Sequence, residues 1–307
     1  MSKKLSKQKL NDIITYGIVI AAFVIMQILI NAGEISSLFQ GLMVPLCTYI
    51  ILAISLNLVV GILGELSLGH AGFMCVGAFT SSFFSKAMQD TITNSTVRFL
   101  LALLIGIITA AIFGIIIGIP VLRLNGDYLA IVTLAFGEII KNLVNVLFIG
   151  KDSKGFHFST KDAVSLNMEP DGKIILNGPQ GITGTPNDST FFIGFILILV
   201  TLFIVLNLIH SRDGRAIMAI RDNRIAAESI GINITKYKLM TFTISAAMAG
   251  AAGVLYAHNL SNLTANTNNF GYNMSINILV FVVLGGIGNI RGSILSLIHI
   301  SEPTRRV

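Results

Sequence analysis

Long apolar runs recur along the chain, each bounded by short polar breaks. A hydrocarbon core about 30 Å thick needs about 20 apolar residues for one helical crossing. On that measure eight crossings are predicted, over residues 13–32, 38–63, 66–85, 99–122, 128–148, 191–210, 238–257 and 274–294. The expected fold is an all-α integral membrane protein, a polytopic bundle of about eight transmembrane helices. Gly69, His70, Gly72 and Gly77 interrupt the third run. A broken or re-entrant segment fits it, because irregular backbone at membrane depth survives only where protein or water satisfies it.

Composition sharpens this picture. Of 307 residues 53% are hydrophobic and 12% charged, against about 25% charged in soluble domains. The net charge of +6 sits in segments flanking the apolar runs, where positive charge orients a membrane protein, so nucleic acid is excluded as a partner. The lysine-rich start, 1–10, precedes an apolar run without a small-residue cleavage site. An uncleaved first helix with a cytoplasmic N-terminus is expected. Alternating crossings then place 123–127 and 211–237 inside and 150–189 outside. Arg212, Arg215, Arg221, Arg224, Lys236 and Lys238 make the segment around 211–237 the most basic in the chain, as an inside loop should be. Cys47 and Cys75 lie in apolar runs and read as buried thiols. Gly114 and Gly118, and the series Ser245, Ala249, Gly253 and Ala257, have the four-residue spacing that brings helix backbones close in lipid.

Catalytic chemistry is not indicated. The pairs Gly150-Lys151 and Gly172-Lys173 lack the upstream glycine and following Ser or Thr of a P-loop. No His-Glu-x-x-His, serine-nucleophile context or paired carboxylate site occurs, so no catalytic or metal-binding residue is assigned. Ionisable groups inside membrane segments invite functional readings. Glu138 and Lys141 are three apart on one predicted helix, where a structural ion pair and a solute contact are both open. Glu65 and His70 flank the glycine-rich break, and with Ser67, Gly69 and Gly72 they form the candidate translocation path. Within 211–237, residues 216–232 read as one amphipathic helix with Ile217, Ile220, Ala227 and Ile230 on its apolar face and Gly231 at its end. From these residues alone, a helix lying on the bilayer and a helix docked in another protein's groove fit equally.

Four ordered stretches carry a resemblance: NLVVGILGELSLGHAGF at 57–73, RLNGDYLAIVTLAFGEIIK at 123–141, RDNRIAAESIGINITKYKLMTFTISAAMAGAAGVLYA at 221–257 and VVLGGIGNIRGS at 282–293, with the shorter GPQGITG at 178–184. Together they resemble the LivM-type permeases of branched-chain amino-acid ABC transporters, over almost all of the first 294 residues. The resemblance implies a heteromeric importer in the bacterial cytoplasmic membrane. Its other parts would be a LivH-type permease, two ATP-binding subunits and an extracytoplasmic solute-binding protein. ATP and magnesium would be used by the ATPase subunits, with no cofactor bound by this chain. Ala226, Ala227, Glu228 and Gly231 match the family's coupling motif, which favours docking into an ATPase groove.

Two departures stand out. Glu65 occupies a position where the family pattern most often has glutamine. After residue 294 the chain reads LSLIHISEPTRRV, which resembles a translated sequencing adapter more than the family's continuation. A single permease domain over 1–294 is therefore expected, truncated at its C-terminus, with 295–307 a non-native tail. A urea or short-amide permease of the same family is the alternative in transport, and an autonomous ion-coupled carrier is the alternative from another class.

Overall fold

A computed structural model describes residues 7–32, 36–122, 124, 126–170 and 172–301. Lys3 and Lys4 of the orienting cluster, Arg123 of the first inside loop, and 302–307 of the expected tail lie outside the described residues.

Helix α1 (Lys7–Asn31) is followed by α2 (Ser37–Asn57), which continues as a π-helical turn (Leu58–Leu63). After an irregular break come α3 (His70–Ala87), α4 (Ser95–Val121) and α5 (Asp127–Val146). A loop domain follows, with β1 (Phe148–Asp152), β2 (Gly155–Ser159), β3 (Lys173–Asn177) and β4 (Ile182–Thr183). The chain then forms α6 (Phe191–His210), α7 (Arg212–Asp222), α8 (Arg224–Ser229), α9 (Ile234–Ala257), β5 (Asn262–Leu263), α10 (Thr267–Phe270), α11 (Tyr272–Gly285) and α12 (Ile290–Ser301). The three-stranded antiparallel sheet has the order β2-β1-β3, and β4 pairs with β5.

Local sequence explains where many helices start. Asn94, Thr190, Ser211, Asn223, Asn233 and Asn266 each accept a backbone N–H of the first turn that follows them, satisfying donors that have no intrahelical partner. Packing then depends on small residues. A Cβ at Gly77 would strike the backbone of Gly250, and one at Gly253 the backbone of Met74, so α3 and α9 touch along their backbones. Gly114 lies against Ala246, as the four-residue spacing predicts. Aromatic contacts fill the remaining core: Phe73 meets Phe242 edge-on with centroids 5.4 Å apart and Phe136 at 5.6 Å. Both Cys47 and Cys75 are buried free thiols.

The chain is an all-α polytopic membrane protein, and its span count refines the sequence expectation. Among the described residues six helices are long and apolar enough to cross a membrane, and α11 with α12 makes a seventh if the bent pair is one span. The expected third crossing begins only at His70 and is too polar to meet that test by itself. Its neighbours α9, α4 and α5 shield it, so its polar residues face protein rather than lipid. The expected run 274–294 is broken, turning by 117° between α11 and α12.

Connections fall on two opposite faces. On one, the break after the π-turn, α7–α8 and the α11–α12 turn are joined by Arg221 donating to the Gly61 carbonyl (3.1 Å) and the Gly288 N–H donating to Asn57 (2.8 Å). On the other, Lys86 donates to the Thr183 carbonyl (2.7 Å), Lys151 to the Ala87 carbonyl (2.9 Å), and Arg98 pairs with Asp188 (3.1 Å). The segments 211–237 and 150–189 thus lie on opposite faces.

Candidate functional site

The segment after α6 folds as two helices instead of the single one expected over 216–232. Asn223 leaves helical geometry and its side chain caps α8 through the Ala226 N–H at 3.0 Å. Ile217, Ile220 and Ala227 turn inward; Ile220 and Ala227 join Ile234 in a small apolar cluster under the tip, with Ile232 packed against it. Ile230 does not share that face and is 76% exposed, as is Ile225 at 81%. The tip ends at Gly231, where the Gly231 N–H donates to the Glu228 carbonyl (3.0 Å) and the Ile232 N–H to the Ala227 carbonyl (3.1 Å). This is a Schellman closure, and Gly231 at φ +86° supplies the left-handed residue it requires.

Of the residues matching the coupling motif, Ala226, Glu228 and Gly231 are exposed on this tip, whereas Ala227 is buried beneath it. Ile225 was not singled out in the sequence. Its signal was local: an Asn cap two positions earlier puts Ile225 in the first turn of a helix too short to cover it. The arrangement presents two apolar knobs on a rigid, capped helix, and burying an isoleucine is worth about 1.5–3 kcal/mol.

The five candidate path residues occupy the interior and its edge. Glu65 forms an ion pair with Lys238 of α9. Ser67 is buried, and His70 is buried with its Nε2 2.6 Å from the Ser55 hydroxyl. Gly69 lies against the Thr133 carbonyl of α5, and a Cβ at Gly72 would come within 2.7 Å of the Gly137 Cα. The Leu68 N–H donates to Thr133 (3.0 Å), and the Ala71 N–H to Ser275 of α11 (3.1 Å). The glycine-rich break is thus wedged behind α5 and α11.

Those two helices carry polar groups on their outward faces. Asn142 on α5 and Asn277 on α11 are exposed, and neither side chain makes a hydrogen bond among the described residues. Glu138 accepts the Tyr272 N–H at the start of α11 (2.8 Å) and pairs with Lys141 at 2.5 Å, while Lys141 also donates to Thr267. A carboxylate at a helix N-terminus is electrostatically favoured. Glu138 and Lys141 therefore hold α5, α10 and α11 together. The asparagines escaped notice because a carboxamide inside an apolar run looks like any other interruption until its direction is known.

On the opposite face a cavity of about 320 Å³ is lined by Lys86, Lys151, Lys173, Asp90 and Asp152 among others. Its lysines are engaged: Lys86 and Lys151 with carbonyls, Lys173 with Asp90 at 3.3 Å. Enclosure opposes the charge of Asp152, but N–H donors from Lys154 and Glu169 and the His157 ring at 2.9 Å outweigh it and hold the carboxyl below its ordinary value. None of the five candidate path residues lines this cavity.

Apolar helices around a buried helix pair, with loops alternating between two faces, define a multi-pass α-helical membrane protein. Residues 37–301 match the family described as branched-chain amino acid transport system, permease component, and the chain belongs to that family. It is 36% identical over 250 residues to the high-affinity branched-chain amino acid transport permease LivM of Salmonella typhimurium, covering 78% of this chain and 57% of the relative. LivM of Escherichia coli is 36% identical over 259 residues, 81% of this chain and 59% of its own length. The fructose import permease FruG of Bifidobacterium longum is 27% identical over 271 residues, 87% of this chain and 72% of its own. The chain thus spans just under three fifths of these two LivM relatives. No solved structure matches. The family match reaches residue 301, within the segment 295–307 that reads as a foreign tail.

Proposed function

We propose that this chain is a membrane-spanning permease subunit of an ATP-driven importer of branched-chain amino acids, docking through α8 to an ATPase subunit. The observation that carries this reading is the capped, protruding tip with Ile225 and Ile230 exposed on either side of Ala226. A helix lying on a bilayer presents one continuous apolar face with basic residues along its border. Here the apolar residues of α7 are used inside the protein, and the tip offers isolated knobs suited to a groove.

In this reading the 211–237 face is cytoplasmic and the sheet face is outside, in a bacterial cytoplasmic membrane. A solute-binding protein would seat on the sheet face, and a second, LivH-type permease would cover α5 and α11. Unpaired carboxamides at Asn142 and Asn277 are costly against lipid, which supports a protein-lined or watered path along that face. They suit an uncharged or zwitterionic solute, and the 36% identity to LivM relatives favours branched-chain amino acids over the fructose of the FruG relative.

The docking is tested by co-purifying the ATPase subunits with the full-length tagged permease. Ile225→Asp with Ile230→Asp is expected to insert normally and lose at least about tenfold of the captured ATPase, given that two buried isoleucines are worth a few kcal/mol. Unchanged capture would return the tip to the bilayer surface.

A further inference from the structure

The end of α2 is the meeting point of elements far apart in sequence. Its π-helical turn, Leu58–Leu63, is buried throughout. Arg221, in the last turn of α7, donates from Nη1 to the Gly61 carbonyl at 3.1 Å. Lys238, in the second turn of α9, pairs with Glu65 just beyond the π-turn. Asn57 accepts the Gly288 N–H at 2.8 Å and donates to the Ser293 hydroxyl at 2.9 Å, and Gly61 and Gly288 touch along their backbones. The two helices that flank the tip, α7 and α9, therefore each hold the same short stretch, and the same stretch holds the α11–α12 turn.

Glu65 sits on a lever. It follows Gly64, whose φ is +80°, and precedes the irregular residues that lead to His70. The break that begins there contacts α5 through Leu68 and Thr133, and the first turn of α3 that follows it contacts α11 through Ala71 and Ser275. Enclosure makes the pair directional, with Lys238 exposing 3% of its side chain and Glu65 15%. A buried ion pair adds little net stability relative to apolar residues, but separating it leaves an uncompensated charge, so it fixes how its two elements move together. π-Turns inside α-helices recur at functional sites, where the extra residue allows a helix to shift.

We propose that Glu65 and Lys238 are positioning residues of the transport cycle, the joint through which displacement of the α7–α8 tip reaches the α5–α11 face. This rests on the importer reading and adds to it the residues that carry the movement. The joint acts as a tether. When the tip is drawn toward an ATPase, α9 moves with it and pulls the break through Glu65, while Arg221 guides the π-turn.

The test uses the full-length permease assembled with its partner permease, ATPase and binding protein in proteoliposomes, comparing wild type with Glu65→Lys, Lys238→Glu, their double swap, and Glu65→Gln with Lys238→Met. Assembly, basal ATP hydrolysis and leucine uptake are read together. The single reversals are expected to lose uptake at least about tenfold, because each buries two like charges, and the double swap to regain it to within about threefold. The neutral pair keeps the packing without the charges and is expected to assemble and to lose uptake about tenfold. It decides the matter if the reversals do not fold. Normal uptake by the neutral pair, or a double swap no better than the single reversals, would overturn the joint while leaving the importer intact. No ATP-dependent uptake by wild type would instead overturn the importer reading, and the joint with it.

Discussion

Gly231 shows how one backbone geometry supports the proposed docking surface. At φ +86° it closes α8, and a Cβ there would meet nothing within 4 Å. Space is therefore free, and the penalty of any other residue is conformational, about 1–2 kcal/mol for the left-handed region. Gly231→Arg is expected to leave membrane insertion intact, since Gly231 lies outside the bundle, and to lower ATP hydrolysis stimulated by the binding protein several-fold. Gly231→Ala, carrying only the backbone strain, should fall between it and wild type. Equal stimulation in all three would separate the tip from coupling. Ala227 illustrates the opposite case: it matches the same motif, yet it is 2% exposed and supports the tip from below. Sequence matching identifies such a set without dividing it into surface and support, because both kinds of residue are small and adjacent.

Among the elements, the β1–β3 sheet carries a carboxylate that couples it to pH. Asp152 accepts N–H groups from Lys154 (2.8 Å), Gly155 (3.1 Å) and Glu169 (3.3 Å). Its folded pKa is depressed below the ordinary 3.8. A depressed carboxyl stabilises the fold at pH values above its unfolded pKa and loses that contribution as pH falls through the folded one. Protease resistance of this loop in membrane vesicles should hold from neutral pH to about 4 and decline below it, near the reference value for an aspartate. Asp152→Asn should be cleaved faster already at pH 7, and identical cleavage would show that the turn is held by other contacts. The sheet was invisible to apolar-run reading, which saw only a polar loop at 150–189. Helix positions were far more legible: α6 occupies 191–210 as expected, because a lipid-facing helix must declare itself in composition. Helix α3 was legible only in part, since its polar residues His70, Thr80 and Ser85 are answered by Ser55, Thr109 and His258, and tertiary partners leave no periodic trace. The division of 216–232 into two helices was written in Asn223, whose capping role emerges only when the next turn bends away.

For the whole molecule, the two faces have different tasks. One gathers the tip, the π-turn and the α11–α12 hairpin around Asn57, Glu65, Arg221 and Lys238; the other is strapped by Lys86, Lys151 and Arg98. Between them α3 and α9 meet along glycines, a contact that suits sliding or tilting as a unit better than side-chain rearrangement. Long-range pairs such as Glu65 with Lys238 join residues that were noticed separately in the sequence, one for the break and one for the basic loop. Their meeting was illegible because 173 residues separate them. The central claim, that this scaffold moves solute at the expense of ATP hydrolysed elsewhere, is tested most directly by leucine uptake into proteoliposomes with and without the ATPase subunits. Uptake that requires the ATPases, binding protein outside the vesicle on the sheet face and hydrolysable ATP inside is the expected result, with urea and fructose failing to compete. Leucine accumulation of equal rate in their absence, driven by an ion gradient, would contradict the account.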